Sequence, residues 1–202
     1  PRPETEELVE WIIESQKSKV KSQKFEILDI GTGTGCIPIS LKANLPHVNV
    51  SAIDVSEKAL EVARRNAVSN KVEINFIQTN ILEVEDLSPL QTPNFQLPTS
   101  FDIIVSNPPY VRNLEKQEIK KNVLDYEPHL ALFVEDTDAL LYYRKIAQLA
   151  LKNLTANGWL FFEINQYLGK ETVELLKNLG LKNIELKKDI YGNDRMTKAS
   201  VK

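Results

Sequence analysis

Cysteine occurs once in the 202 residues, as Cys36, so no internal disulfide can form and a reducing, cytoplasmic setting is expected. Histidine is nearly as scarce. His47 and His129 belong to no Cys/His cluster of metal-ligand spacing, and no metal site is expected. No apolar run approaches the ~20 residues a membrane span needs, and the start carries no signal-peptide pattern. A basic surplus is missing too. With 25 Lys+Arg against 28 Asp+Glu, the net charge of −3 argues against direct binding to nucleic-acid phosphate. What remains is an ordinary globular mix, 42% hydrophobic and 26% charged, which excludes a collagen, a long coiled coil and a disordered chain. One domain over residues 1–202 is the expectation at this length, and a monomer is expected. The first residue is Pro1 rather than Met, so a piece of a longer chain is expected.

The apolar pattern alternates between two periods. Phe25–Ile30, Val48–Asp54, Ile74–Thr79, Phe101–Ser106 and Trp159–Ile164 are short runs rich in β-branched and aromatic residues, as strands covered on both faces require. Between them, Pro3–Lys19, Ile37–Asn44, Ser56–Ser69, Thr137–Leu154 and Gln166–Leu179 have helical spacing. Ser56 stands as an N-cap, and Gly180 as a C-cap. Strands alternating with helices predict βαβ units and a mainly parallel sheet. After Gly180, Lys182–Asp189 and Met196–Lys202 flank the turn Tyr191-Gly192-Asn193-Asp194 and predict an antiparallel pair. Asp86–Ser100, with Pro89, Pro93 and Pro98, reads as an irregular surface loop.

The first motif is Asp29-Ile30-Gly31-Thr32-Gly33-Thr34-Gly35, between a predicted strand and a predicted helix. Alternating glycines let the backbone turn tightly and approach a ligand closely. Such a ligand sits at the C-terminal edge of the sheet, where Asp54, ending the next strand, can accept hydrogen bonds from both ribose hydroxyls of a nucleoside. The spacing is G-x-G-x-G rather than G-x-G-x-x-G, position 36 is Cys, and no phosphate-binding Lys follows. Asp29 can take a hydrogen bond from the amino group of a cationic ligand. The pattern resembles motif I of class I S-adenosylmethionine-dependent methyltransferases. That resemblance implies a Rossmann-like α/β fold with a mainly parallel seven-stranded sheet and an antiparallel C-terminal hairpin. It also implies that Asp29 and Gly31, Thr32, Gly33, Thr34 and Gly35 hold the methionine part of S-adenosylmethionine, and Asp54 the ribose. At the end of the third strand, where that family usually has an acid beside the adenine amine, stands Asn80, whose carbonyl can still accept. Ile81 is then expected near the adenine face.

The second motif, Asn107-Pro108-Pro109-Tyr110, follows the fourth strand. Two prolines impose a rigid, extended exit and leave carbonyls without local donors. The Asn107 side-chain oxygen and the Pro108 carbonyl become two fixed acceptors, and a planar –NH₂ can donate to both. Amide and aryl amine nitrogens are poor nucleophiles because their lone pair is delocalised. Two acceptors hold such a nitrogen beside a sulfonium methyl and favour the pyramidal form that attacks it. Tyr110 is expected to cover the substrate. Asn107, Pro108 and Tyr110 are the catalytic candidates, and Asn107 also borders the cofactor. Asn107, Pro108, Pro109 and Tyr110 are expected to contact substrate.

The tetrad alone does not choose the amine. The opening Pro1-Arg2-Pro3-Glu4-Thr5-Glu6, the stretch Glu127-Pro128-His129-Leu130-Ala131-Leu132-Phe133 and the closing Tyr191-Gly192-Asn193-Asp194-Arg195 add to it. In this order, with both motifs, they resemble the protein-(glutamine-N5) methyltransferases of the HemK/PrmC family, over essentially the whole chain. The resemblance implies methyl transfer from S-adenosylmethionine, with S-adenosylhomocysteine as product. The acceptor is the glutamine side-chain amide of the Gly-Gly-Gln motif in class I peptide chain release factors, whose methylation aids translation termination. It implies that Arg2, Thr5 and Glu127 border the substrate, and that an upstream helical domain helping to grip the release factor is absent from residues 1–202. Arg195 can pair with Asp194 or Asp189. Glu163-Ile164-Asn165-Gln166 stands where the family often has Glu-Ile-Gly, which can alter the loop after the fifth strand.

Other readings share some of these features. A DNA or RNA base amino methyltransferase uses the same tetrad, but calls for a basic groove and an added recognition region. An NAD-dependent oxidoreductase would use the glycine loop and Asp54, yet leaves Asn107–Tyr110 without a role. A non-catalytic scaffold would need neither motif intact.

Overall fold

The computed structural model describes residues 2–16, 25–88, 90–92, 95–109, 111–112, 133–134 and 138–202. Helix α1 (Pro3–Gln16) precedes β1 (Glu26–Ile30), α2 (Cys36–Asn44), β2 (Asn49–Asp54), α3 (Glu57–Ser69) and β3 (Asn75–Gln78). A 3-10 turn (Ile81–Glu83) leads into a two-stranded ribbon, β4 (Gln91–Thr92) with β5 (Phe95–Gln96), and then β6 (Phe101–Ser106). The short strand β7 (Val111–Arg112) pairs in parallel with β8 (Phe133–Val134). The chain ends with α4 (Leu141–Asn153), β9 (Leu154–Glu163), α5 (Gly169–Asn178), β10 (Lys182–Lys188) and β11 (Asp194–Ser200).

Seven strands form one sheet in the order β10-β11-β9-β6-β1-β2-β3. Parallel ladders join β3 to β2, β2 to β1, β1 to β6 and β6 to β9. Only β11 runs against its neighbours, inserted between β9 and β10. The hairpin residues explain which strand goes inside. Met196, Thr197, Ala199 and Ser200 of β11 are buried, whereas β10 carries Lys182, Glu185, Lys187 and Lys188, a charged edge that discourages further pairing.

Strand side chains alternate between two cores. One face buries Leu28, Ile30, Ile53, Phe101, Ile104, Leu160 and Phe162 against Tyr143, Ile146, Ala147 and Ala150 of α4 and Leu176 of α5. The other buries Ile27, Val50, Ile103, Val105 and Phe161 against Leu8 and Ile12 of α1 and Ile37 and Leu41 of α2. Ser56 caps α3 by accepting from Ala59 N–H at 3.3 Å, as its position predicts.

Three sequence expectations are revised. Asp86–Ser100 is not wholly irregular: Leu87 and Leu97 are buried, and their burial anchors the β4–β5 ribbon to the core. β9 begins at Leu154 rather than Trp159, with a register shift against β6. Gly158 makes this possible, because a Cβ there would lie 2.9 Å from the Phe101 carbonyl. α5 begins at Gly169 rather than Gln166, since the Asn165 side chain accepts from Tyr167 N–H at 2.9 Å and holds that stretch as a turn.

Candidate active site

From β1 the chain winds outward through β2 and β3 on one side, and β6 and β9 lie on the other. The strand order therefore reverses beside β1, and the crevice outside the C-terminal ends of β1 and β6 is where open α/β sheets bind ligands. Both sequence motifs end there. Ser106, the last residue of β6, donates its hydroxyl to the carbonyl of Ile30, the last residue of β1, at 2.6 Å, so the two motif loops leave the sheet from locked neighbours.

The glycine loop takes its shape from positive φ at Gly31 (75°), Gly33 (55°) and Gly35 (82°). The three glycines have different work. A Cβ at Gly31 or Gly33 would meet nothing within 4 Å, so these face open space, whereas one at Gly35 would press on Ala63 Cβ at 3.1 Å and Ile39 Cδ1 at 3.2 Å. Gly35 serves packing between α2 and α3. Asp54 braces the loop: its carboxylate accepts from Gly33 N–H and Ser56 N–H, each at 2.8 Å. Each oxygen keeps acceptor capacity for a further donor. Asn66 of α3 also ties the loop, donating to the Thr34 carbonyl at 2.9 Å.

Beneath the loop lies Asp29, fully buried, with neither carboxylate oxygen hydrogen-bonded. Burial raises its pKa to about 7; the Thr32 hydroxyl, near but outside hydrogen-bonding geometry, lowers it, and the Asp54 charge raises it. An enclosed carboxylate without donors marks a place prepared for positive charge.

On the other side, Pro108 is buried and Asn107 partly buried. Asn107 Nδ2 donates to Thr5 Oγ1 at 3.4 Å, and Thr5 Oγ1 donates to Glu163 Oε2 at 2.7 Å. The opening segment is thus carried to the crevice by α1, whose first turn is closed by the Arg2 carbonyl accepting from Thr5 and Glu6 N–H. The Thr5 hydroxyl, expected to border substrate, is engaged by Asn107 and Glu163.

Asn80 and Ile81 follow β3, at the C-terminal edge of the sheet. Asn80 caps the 3-10 turn, accepting from Leu82 N–H at 3.2 Å and donating to Glu83 at 2.8 Å, while Ile81 is turned into the core. Arg195 chooses Asp189, at 3.3 Å, and Asp194 pairs instead with Lys188, at 2.8 Å. Tyr110 and Glu127 lie outside the described residues. Among the described residues no group of three His, Cys, Asp or Glu could hold a metal, and no helix is long and apolar enough to cross a membrane.

A family model of the methyltransferase small domain matches residues 12–129. A release factor glutamine methyltransferase of Flavobacterium psychrophilum is 64% identical over 200 residues, covering 99% of this chain and 67% of the relative. The chain belongs to the release factor glutamine methyltransferase family. A second member, from Bacteroides thetaiotaomicron, is 43% identical over 200 residues, again covering 99% of this chain and 67% of the relative. The chain thus spans about two thirds of the length of these family members. Its fold is shared more widely: a methyltransferase of Pyrococcus furiosus superposes with a TM-score of 0.62 at 17% identity, covering 96% of this chain and 82% of the other.

Glu163, which the fold brings beside Thr5 in this family member, was not among the residues expected at the site. A signal was present. Glu163 stands near the end of an otherwise apolar strand predicted to be covered on both faces, and a carboxylate there must find a partner. One partner, Thr5, lies 158 residues away in sequence and only the fold names it.

Proposed function

We propose that this protein transfers a methyl group from S-adenosylmethionine to the side-chain amide nitrogen of the glutamine in the Gly-Gly-Gln motif of class I peptide chain release factors in the cytoplasm, leaving S-adenosylhomocysteine. The observation that carries this reading is the position of Asn107 directly beyond Ser106, whose hydroxyl is bonded to the strand end that launches the glycine loop, in a chain of this family.

The residues present fit the cofactor. Asp29 offers two buried oxygens without donors, Gly31 and Gly33 border open space, and Asp54 retains lone pairs for ribose hydroxyls. Asn80 would accept from the adenine amine with the remaining lone pair of its oxygen. When bound, S-adenosylmethionine supplies a methyl carbon on a sulfonium sulfur. Asn107 Oδ1 and the Pro108 carbonyl accept the two N–H groups of the glutamine amide and hold its nitrogen on the line of attack. Their dipoles stabilise the positive charge that develops there. So held, the amide nitrogen would face the methyl carbon with its lone pair, and it would give up one proton in the course of the transfer. Arg2, Pro109, Tyr110 and Glu127 are assigned to the substrate wall by their sequence positions.

The test offers labelled S-adenosylmethionine to the full-length gene product with three acceptors: wild-type release factor, the same factor with the Gly-Gly-Gln glutamine changed to alanine, and bulk DNA and RNA. Label on the wild-type factor alone is expected. Label on nucleic acid would keep the Asn107 chemistry and overturn the substrate; no label on any acceptor would overturn the activity.

A further inference from the structure

We propose that Thr5 and Glu163 are positioning residues that decide which way the Asn107 side-chain amide faces. The proposal rests on the reading of Asn107 given above.

The protons available to these three groups fix the orientation. Glu163, the last residue of β9, is 1% exposed, and its Oε2 accepts from Thr5 Oγ1 at 2.7 Å. The bond runs from the Thr5 hydroxyl to the carboxyl oxygen, and a threonine hydroxyl has a single proton. That proton is directed to Glu163. Toward its other neighbour Thr5 can then only accept, so the arm of Asn107 that faces it, at 3.4 Å, has to be the –NH₂. The amide is planar and its two arms diverge, so Oδ1 is turned away from Thr5.

The opposite orientation would bring the –NH₂ of Asn107 to the –NH₂ of a substrate amide, donor against donor. An isolated asparagine at the end of a strand has little preference between the two, because an amide flip changes its shape hardly at all. The Thr5–Glu163 pair removes that freedom before substrate arrives, which is where preorganised dipoles gain their effect. The fold supplies the three groups from three places. β6 and β9 are parallel neighbours with Ser106 opposite Phe162, so Asn107 and Glu163 leave the sheet side by side. α1 packs on the same face and lowers Thr5 between them. Thr5 therefore acts through Asn107, and an opening segment rich in Pro and Glu has a reason to include a hydroxyl at this position.

The experiment compares Thr5→Val, Thr5→Ser and Glu163→Gln with wild type in the full-length protein, against release factor and S-adenosylmethionine. Thr5→Val keeps shape and removes the hydroxyl. It is expected to lower kcat roughly 10- to 100-fold, as for loss of a preorganised dipole, with KM and cofactor Kd within about twofold. Thr5→Ser, which restores the hydroxyl, is expected to recover kcat to within about threefold. Glu163→Gln, which can rotate to donate to Thr5 and reverse the chain, is expected to fall between them. In an Asn107→Ala background Thr5→Val is expected to cost nothing more, because a residue acting through Asn107 has nothing left to orient. Undiminished kcat in Thr5→Val, or the same loss with Asn107 absent, would overturn the proposal. An activity-independent measurement accompanies these: in ¹⁵N-labelled protein without substrate, the Asn107 amide protons are expected to show nuclear Overhauser contacts to the Thr5 methyl. Their absence would overturn the orientation. Failure of wild type to label release factor would overturn only the substrate assignment, and the amide contacts would still decide this one.

Discussion

The hydroxyl of Ser106 lies 2.6 Å from the carbonyl oxygen of Ile30, buried between the ends of two parallel strands. With the parallel ladder between β1 and β6, that bond ties the start of the glycine loop to the start of the Asn107 tetrad. Ser106→Ala is expected to lower stability by about 1–2 kcal/mol, the cost of leaving a buried acceptor unpaired, and to lower kcat more than cofactor affinity. Urea unfolding and steady-state kinetics check the two parts; unchanged kcat would mean the loops hold their spacing by other means.

The three glycines of the loop separate by substitution. Gly35→Ala places a methyl 3.1 Å from Ala63 Cβ at a positive φ, so both crowding and strain are felt. A loss of about 2–3 kcal/mol in unfolding free energy is expected. Gly33→Ala carries only the strain, about 1–2 kcal/mol, but puts its methyl into the open space assigned to the cofactor. Calorimetry with S-adenosylmethionine is expected to show the larger affinity loss for Gly33→Ala, and a reversed order would displace the cofactor from this loop.

Asp29 makes stability depend on pH. Its folded pKa of about 7 lies above the ordinary value of 3.8, so between these values the folded protein binds more protons than the unfolded. Its contribution is therefore most favourable below about pH 4 and is lost as pH rises through 7. Asp29→Asn is expected to raise the melting temperature of the ligand-free protein at pH 8, with a gain on the order of 4 kcal/mol at most that shrinks toward pH 5. A cationic ligand beside Asp29 reverses the preference, so cofactor affinity is expected to rise from pH 6 to 7.5 with proton release. Calorimetry in two buffers of different ionisation enthalpy measures that release.

The closing turn has the opposite sign. Burial would raise the pKa of Asp189, but the N–H of Asn193, the Arg195 guanidinium and the N–H of Tyr191 together bring it below the ordinary value. The stabilisation is present above about pH 4 and lost as pH falls through the lowered pKa. Asp189→Ala is expected to cost about 2 kcal/mol at pH 7, because it leaves part-buried Arg195 without its charge partner and releases the turn. Melting curves at pH 7 and pH 3 check it, with the difference between variant and wild type smaller at pH 3.

Much of the fold was legible along the chain. Apolar runs of five or six residues between helical periods specify buried parallel strands, since both faces of such a strand must be covered. Ser56 and the glycine loop were readable because capping and positive φ are local demands. The boundaries that moved did so for non-local reasons: β9 extends back to Leu154 because Gly158 lets the Phe101 carbonyl approach, and Leu87 and Leu97 organise Asp86–Ser100 because the core receives them. That Asn107 and Asp54 stand where strands end was legible too. Asp54 bracing the loop through Gly33 N–H was not, because that contact joins two strand ends.

By itself the sequence determined the order of strands and helices, the loop that only glycine can form and the rigid exit that two prolines impose after β6, all set by interactions within a few residues. Tertiary structure decided which strand of the terminal hairpin enters the sheet, which carboxylate Arg195 takes and what faces Asn107. Those outcomes depend on packing between segments distant in the chain. The bond from Thr5 to Glu163, 158 residues apart, exists only because α1 and β9 share one face of the sheet.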